Sequence, residues 1–218
     1  MVGVTRFAFF DLDNTLVDQS SALMAWARDF VADRGLDPAA VDWFEVKNST
    51  APTWKAYAEQ IKRQFGLPDS VEGLIHEVTE RYPGYFTLED GVADGLRLLR
   101  AKEWKLGVIT NGTSGVQMAK VNRVDLWSLV DGVFVSESVG ARKPDPAIFE
   151  LAADKLGVEL GRDGWMVGDT LEADVAGGTA AGLSTIWLPR GRSQPMDGPW
   201  PDRACASIAE ALDLLAAL

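Results

Sequence analysis

Short runs dominated by apolar residues punctuate the chain, and most are followed by a stretch in which apolar residues recur every three or four positions. The runs cover residues 7–10, 106–110, 133–135, 165–167 and 185–188. Apolar runs this short, without polar alternation, mark strands covered on both faces, as in a parallel sheet. The intervening stretches have a helical period. Ile148, Leu151, Ala152 and Leu156 form one such face, started by Pro144 and Pro146 and stopped by Gly157. This alternation predicts an α/β fold, a doubly wound, Rossmann-like parallel sheet.

The pattern changes between residues 17 and 88. Helical spacing appears over 21–34, ending at Gly35, and again over 38–47, 54–65 and 70–82, with no convincing strand among them. A helical insert directly after the first strand is the simplest arrangement. The expected organisation is a parallel-sheet core of residues 1–16 and 88–218, interrupted by an all-α cap over 17–87.

Composition narrows the function classes. The 218 residues are 47% hydrophobic and 24% charged, ordinary for a globular domain with a sizeable core. A net charge of −11 disfavours nucleic-acid backbones and anionic membranes, which both need basic patches. It also means that an anionic substrate can bind only where a metal or a local basic group reverses the field. The single cysteine, Cys205, excludes an intramolecular disulfide and suits a reducing compartment. No apolar run of about twenty residues exists, and residues 7–10 are too few for a signal peptide before Asp11 interrupts them. A cytoplasmic location is expected.

In an open parallel sheet, ligands bind beyond the carboxyl ends of the strands. There the sequence places Asp11-Leu12-Asp13-Asn14-Thr15, then Thr110-Asn111-Gly112, then Arg142-Lys143-Pro144, then Gly168-Asp169-Thr170 with Asp174 beyond it. Clustered carboxylates repel one another and stay ionised together only if a cation joins them. Ligands that are all oxygen favour a hard cation such as Mg²⁺, which keeps some waters and accepts phosphate oxygens. That metal resolves the conflict between an acidic protein and a phosphorylated substrate. Lys143 would add a second positive charge, while Thr110 and nearby backbone amides would supply hydrogen bonds. Asp11 beside the metal could attack phosphorus, and Asp13 could protonate the departing oxygen and later deprotonate water.

Phe9-Phe10-Asp11-Leu12-Asp13-Asn14-Thr15-Leu16 resembles the first motif of the haloacid dehalogenase superfamily. Val108-Ile109-Thr110-Asn111-Gly112 resembles its second, Lys143-Pro144-Asp145-Pro146 its third, and Gly168-Asp169-Thr170-Leu171-Glu172-Ala173-Asp174 its fourth. The four occur in family order and span nearly the whole chain. The resemblance implies Asp11 as nucleophile, Asp13 as general acid and base, Thr110, Asn111 and Gly112 as phosphoryl-holding residues, and Lys143 as charge neutraliser. It also implies Mg²⁺ held by the Asp11 carboxylate, the Asp13 backbone carbonyl and Asp169, with Asp174 in support, and an insert similar to the family's C1 cap. Haloalkanoate dehalogenases of this family lack an aspartate at the position of Asp13. The resemblance therefore implies a phosphatase acting on a small phosphorylated metabolite, in the nucleotidase and sugar-phosphate branches.

Each of these residues also has a structural reading. Asp and Asn after a strand are common turn formers and helix caps, and Asp174 within a helix would ordinarily be a solvated charge. Lys143 alone would be a surface lysine, and Gly177, Gly178 and Gly182 suit close helix–sheet packing. The solitary His76 excludes two-histidine phosphatases and two-histidine zinc sites. Cys205 has Ala211 where a cysteine phosphatase needs arginine. Tryptophans 26, 43 and 54 read as packing within the insert. The rival functions are a 2-haloacid dehalogenase, a phospho-aspartate switch and a non-catalytic binding protein.

Overall fold

In the computed structural model, which describes residues 5–48 and 53–218, six strands form one parallel sheet. They are β1 (Phe7–Phe10), β2 (Lys105–Thr110), β3 (Gly132–Val135), β4 (Gly164–Gly168), β5 (Ser184–Trp187) and a short β6 (Arg203–Ala204). Their order is β3-β2-β1-β4-β5-β6, with Phe9 in register with Gly107 on one side and Met166 on the other. The strand order reverses between β1 and β4, which opens a crevice at their carboxyl ends. Asp11 follows β1 there, and its amide donates to the Val167 carbonyl at 2.9 Å. All five apolar runs became strands, within a residue or two of the expected limits. The two exposed residues of β6 carry no apolar signal; their pairing with Ile186 and Trp187 makes them a strand.

The chain divides into two compact units, residues 1–18 with 88–218 and residues 19–87. The second unit holds α1 (Gln19–Asp33), α2 (Val41–Asn48), α3 (Trp54–Phe65) and α4 (Val71–Arg81). Local chemistry sets their ends: the Thr53 and Ser70 hydroxyls accept the Ala56 and Gly73 amides, and Gly66 closes α3 in the left-handed conformation. An aromatic cluster fills the interior, with Trp26 ring centroids 5.1 Å from Phe30, 5.4 Å from Phe44 and 6.1 Å from Tyr82. Trp54 packs against Tyr57 and Tyr82, and Trp43 against Phe44 and Phe65. The helix expected over 38–47 starts instead as a 3₁₀ turn, Pro38–Ala40, because Pro38 and the Asp37 cap favour a tight first turn.

The first unit continues with α5 (Val92–Ala101), α6 (Ser114–Arg123), α7 (Ser136–Val139), α8 (Pro146–Leu156), α9 (Gly177–Ala180) and α10 (Ile208–Ala217). One core cluster joins Phe7, Phe9, Ile109, Phe134 and Met166 of the sheet to Ile148, Phe149, Ala152 and Ala153 of α8. The α8 face is therefore shifted by one residue from the expected stripe, leaving Leu151 and Leu156 only partly buried. Asp145 caps α8, Pro146 is its first residue and Gly157 ends it at φ +67°. Pro144 lies before the helix and does not start it. Its Cα sits where a side chain on Gly177 would come within 3.0 Å, and one on Gly178 would meet Met166 at 2.8 Å. Helix–sheet packing, as expected, accounts for Gly178, whereas Gly177 packs against Pro144 and Phe149. Gly182 has open space around it and is needed instead for its left-handed backbone at φ +82°. Among the described residues, no helix is long and apolar enough to cross a membrane.

Candidate active site

The loop after β1 is shaped by its own backbone. The Leu16 and Val17 amides both donate to the Leu12 carbonyl, and Asn14, at φ +54°, donates to the Val17 carbonyl. Asparagine tolerates this left-handed geometry better than most residues. The tight loop holds Asp11 at the sheet edge, 8% exposed, and leaves Asp13 partly open.

The end of β4 delivers two more carboxylates. Asp169 follows Gly168 directly, and Asp174 lies in a single π-turn, Leu171–Ala176, rather than in a regular helix. Such turns are rare and often occur at functional sites. Here the wider turn folds the Asp174 carboxylate back over the strand end, where it accepts the Thr170 amide at 2.9 Å. The fold-back requires glycine at 168, since a Cβ there would lie 2.2 Å from Asp174 Oδ2.

Lys143, 3% exposed, reaches between the strand ends. Its Nζ donates to Asp11 Oδ1 at 2.6 Å and to Asp174 Oδ1 at 2.6 Å. Asn111 fixes the lysine's backbone: its Nδ2 donates to the Lys143 carbonyl at 2.9 Å and its Oδ1 accepts the Lys143 amide at 3.0 Å. The Gly112 amide donates to Ser136 Oγ. The side-chain amide of Asn111 and the backbone amide of Gly112 are thus engaged within the protein.

A second cluster surrounds Asp13. Lys120 Nζ lies 2.7 and 2.9 Å from its two carboxylate oxygens. Gln117 Nε2 donates to Asp13 Oδ2 at 2.9 Å and to Thr110 Oγ1 at 2.6 Å. Arg192, from the segment after β5, donates to Asp169 Oδ2 at 2.9 Å, and Trp187 Nε1 donates to the Asp169 carbonyl. No sequence motif points to Lys120, Gln117 or Arg192, and Trp187 reads there only as a packing residue. Their only signal is placement: Trp187 ends β5, Arg192 follows it, and Gln117 and Lys120 stand within α6.

Electrostatics bear on what the cluster can bind. Burial pushes the Asp11 carboxyl up to about 8; Lys143 opposes this, while Asp174 and Asp13 reinforce it. Asp169 is also raised by burial and by Asp174, with Arg192 and Thr170 opposing. Burial alone would lower Lys143, but Asp11 and Asp174 outweigh it and hold the side chain as an ammonium. Ligand oxygens of Asp11, Asp169 and Asp174 lie within 4.8 Å of one another, all three residues buried. These three buried carboxylates, two of them (Asp11 and Asp169) with pKa values pushed upward, form an all-oxygen donor set that a hard divalent cation would relieve. The Asp13 carboxylate is outside this trio and faces α6.

Residues 8–188 match the haloacid dehalogenase-like hydrolase family. The chain belongs to that family. Two curated relatives cover nearly its full length. One is pyrimidine 5'-nucleotidase YjjG of Escherichia coli, 30% identical over 95% of this chain and 96% of its own. The other is rat N-acylneuraminate-9-phosphatase, 38% identical over 96% of this chain and 93% of its own. Among solved structures, the magnesium-bound HAD hydrolase YfnB of Bacillus subtilis superposes with a TM-score of 0.81 at 23% identity, covering 98% of this chain and 99% of YfnB. At that identity the likeness supports the fold: a haloacid dehalogenase-type α/β core.

Proposed function

We propose that the protein is a Mg²⁺-dependent phosphomonoesterase that releases phosphate from a small phosphorylated metabolite through an aspartyl-phosphate on Asp11. The observation that carries this reading is the position of Asp13. Its carboxylate stands two residues beyond Asp11 and is linked through Gln117 to the Thr110 hydroxyl. A departing alkoxide needs a proton, whereas a departing halide does not, so an acid at this place favours phosphate esters over haloacids. Two relatives at 30% identity or more are named as a pyrimidine 5'-nucleotidase and an N-acylneuraminate-9-phosphatase, which supports nucleotides and sugar phosphates as the substrate class.

The metal would be held by Asp11, Asp169 and Asp174, with the Asp13 backbone carbonyl completing the protein ligands. When bound it would neutralise negative charge on the phosphoryl group. Lys143 supplies a fixed positive charge beside Asp11, and Thr110 offers its hydroxyl to a phosphoryl oxygen. In the first half-reaction an Asp11 oxygen bonds to phosphorus, the ester P–O bond breaks and Asp13 donates a proton to the leaving oxygen. In the second, water attacks phosphorus, Asp13 takes its proton and Asp11 departs as the carboxylate. Asn111 acts through Lys143, holding its backbone so that the ammonium stays on Asp11 and Asp174. The helical unit is assigned substrate selection.

Asp11→Asn should fold normally and lose at least about a thousandfold in turnover, as expected when a nucleophile is removed. Hydrolysis of p-nitrophenyl phosphate by wild type and variant, each with Mg²⁺ and with EDTA, checks this. Near-wild-type turnover by a folded variant overturns the mechanism. Chloride release from short 2-chloroacids, with no phosphate release, would favour the dehalogenase reading instead.

A further inference from the structure

We infer that α6 is a positioning element for the leaving-group side of the reaction, acting through Lys120 and Gln117. Both side chains are buried, at 2% and 3% exposure, although each is polar and stands one helical turn from the other. Burying an ammonium and an amide is costly unless each meets well-placed partners. Lys120 meets both oxygens of Asp13, within 2.9 Å. Gln117 bridges Asp13 Oδ2 and Thr110 Oγ1 with one nitrogen. The pair therefore fixes the distance between the two groups assigned to the leaving oxygen and to the phosphoryl oxygen.

A mobile carboxylate at Asp13 would sample rotamers away from the departing oxygen, and proton transfer requires hydrogen-bond reach. The clamp removes that freedom. It does so from a helix that is itself tied down at its start, where the Ser114 amide donates to Glu137 Oε2 at 2.8 Å. Lys120 and Gln117 need not touch substrate; they act through Asp13 and Thr110.

This inference rests on the phosphatase reading, and the experiment separates the two. Phenyl phosphate and p-nitrophenyl phosphate have similar shapes but differ in leaving group. Phenol, with a pKa of about 10 like the tyrosine side chain, needs protonation more than the acidic nitrophenol does. Wild type, Asp13→Asn, Lys120→Met and Gln117→Leu are assayed on both with saturating Mg²⁺. Loss of the acid should be selective, so Asp13→Asn falls more on phenyl phosphate. Lys120→Met and Gln117→Leu should show the same selectivity, about tenfold more loss on phenyl phosphate, a fraction of the range of general acid catalysis. Mg²⁺ affinity should stay within about twofold of wild type in both, since neither residue touches the carboxylate trio.

Equal losses on the two substrates in a folded Lys120→Met or Gln117→Leu overturn the inference while leaving the phosphatase reading intact. If Lys120→Met does not fold, the volume-conserving Gln117→Leu decides alone. Metal-independent turnover in wild type, or no selectivity in Asp13→Asn, would instead overturn the reading on which the clamp depends.

Discussion

At the scale of single residues, the site is a set of exclusions as much as of contacts. Asp174 reaches Lys143 only because residue 168 has no side chain. Gly168→Ala would force the Asp174 carboxylate off the strand end, breaking its contact with the Thr170 amide. The expected cost is about 1–3 kcal/mol, the range for overpacking a tight site, together with weaker Mg²⁺ binding. Chemical denaturation and a Mg²⁺ titration of the variant measure the two effects. Wild-type stability and metal affinity would show that the strand end can shift to make room. Lys143 illustrates the other side. A lysine before Pro-Asp-Pro looks like a surface residue, yet the two carboxylates it meets come from β1 and from the turn after β4.

At the scale of elements, the backbone pairing of β6 with β5 is reinforced by one carboxylate. Asp202 accepts the Thr185 amide at 2.9 Å and the Thr185 hydroxyl, and it pairs with Arg162. Arg162 and these hydrogen bonds hold Asp202 below the usual carboxylate range. A lowered pKa means that the contribution to stability is present above the unfolded value near 4 and is lost as pH falls below it. Asp202→Ala should cost about 1–3 kcal/mol at pH 7, chiefly from the unpaired Thr185 amide. The deficit should shrink below pH 4. Thermal melts of wild type and variant at pH 7 and at pH 3.5 test this, and a pH-independent difference would count against it. Arg192, between β5 and β6, donates to Asp169, so looser pairing of β6 should also reach the carboxylate trio.

For the molecule as a whole, the carboxylate trio links global stability to protons and, under the proposed function, to Mg²⁺. Burial raises Asp11 above its unfolded value, to about 8 without a metal. A raised carboxyl contributes stability that is fully present below the unfolded pKa, near 4, and is lost as pH rises through about 8. A cation that binds the ionised form competes with that proton and binds better as pH rises. The rise in melting temperature on adding Mg²⁺ should therefore be larger at pH 9 than at pH 6. Scanning calorimetry with Mg²⁺ or EDTA at the two pH values checks the sign. An increment independent of pH would mean that Asp11 does not contribute to the metal site.

Much of this protein is legible in its one-dimensional pattern. The five apolar runs determined strands because a residue run buried on both sides can hardly be anything else in a parallel sheet. The carboxylates at 11 and 169 follow strand ends, and strand ends in such a sheet share one edge, so their convergence was readable too, whereas the Asp13 carboxylate turns away from them toward α6. Asp174 was readable as a candidate, but its π-turn was not. The turn depends on a missing Cβ at Gly168 and on Lys143 arriving from the segment between α7 and α8. Lys120 and Gln117 lie 107 and 104 positions from Asp13 and on a helix of ordinary polarity. Nothing local distinguishes a buried lysine from a solvated one; only the packing of α6 against the β1 loop decides which it is. The sequence alone determined which groups reach the sheet edge, through periodicity and chain order. Tertiary structure decided which of them touch, because a charge chooses its partner across space by burial and distance.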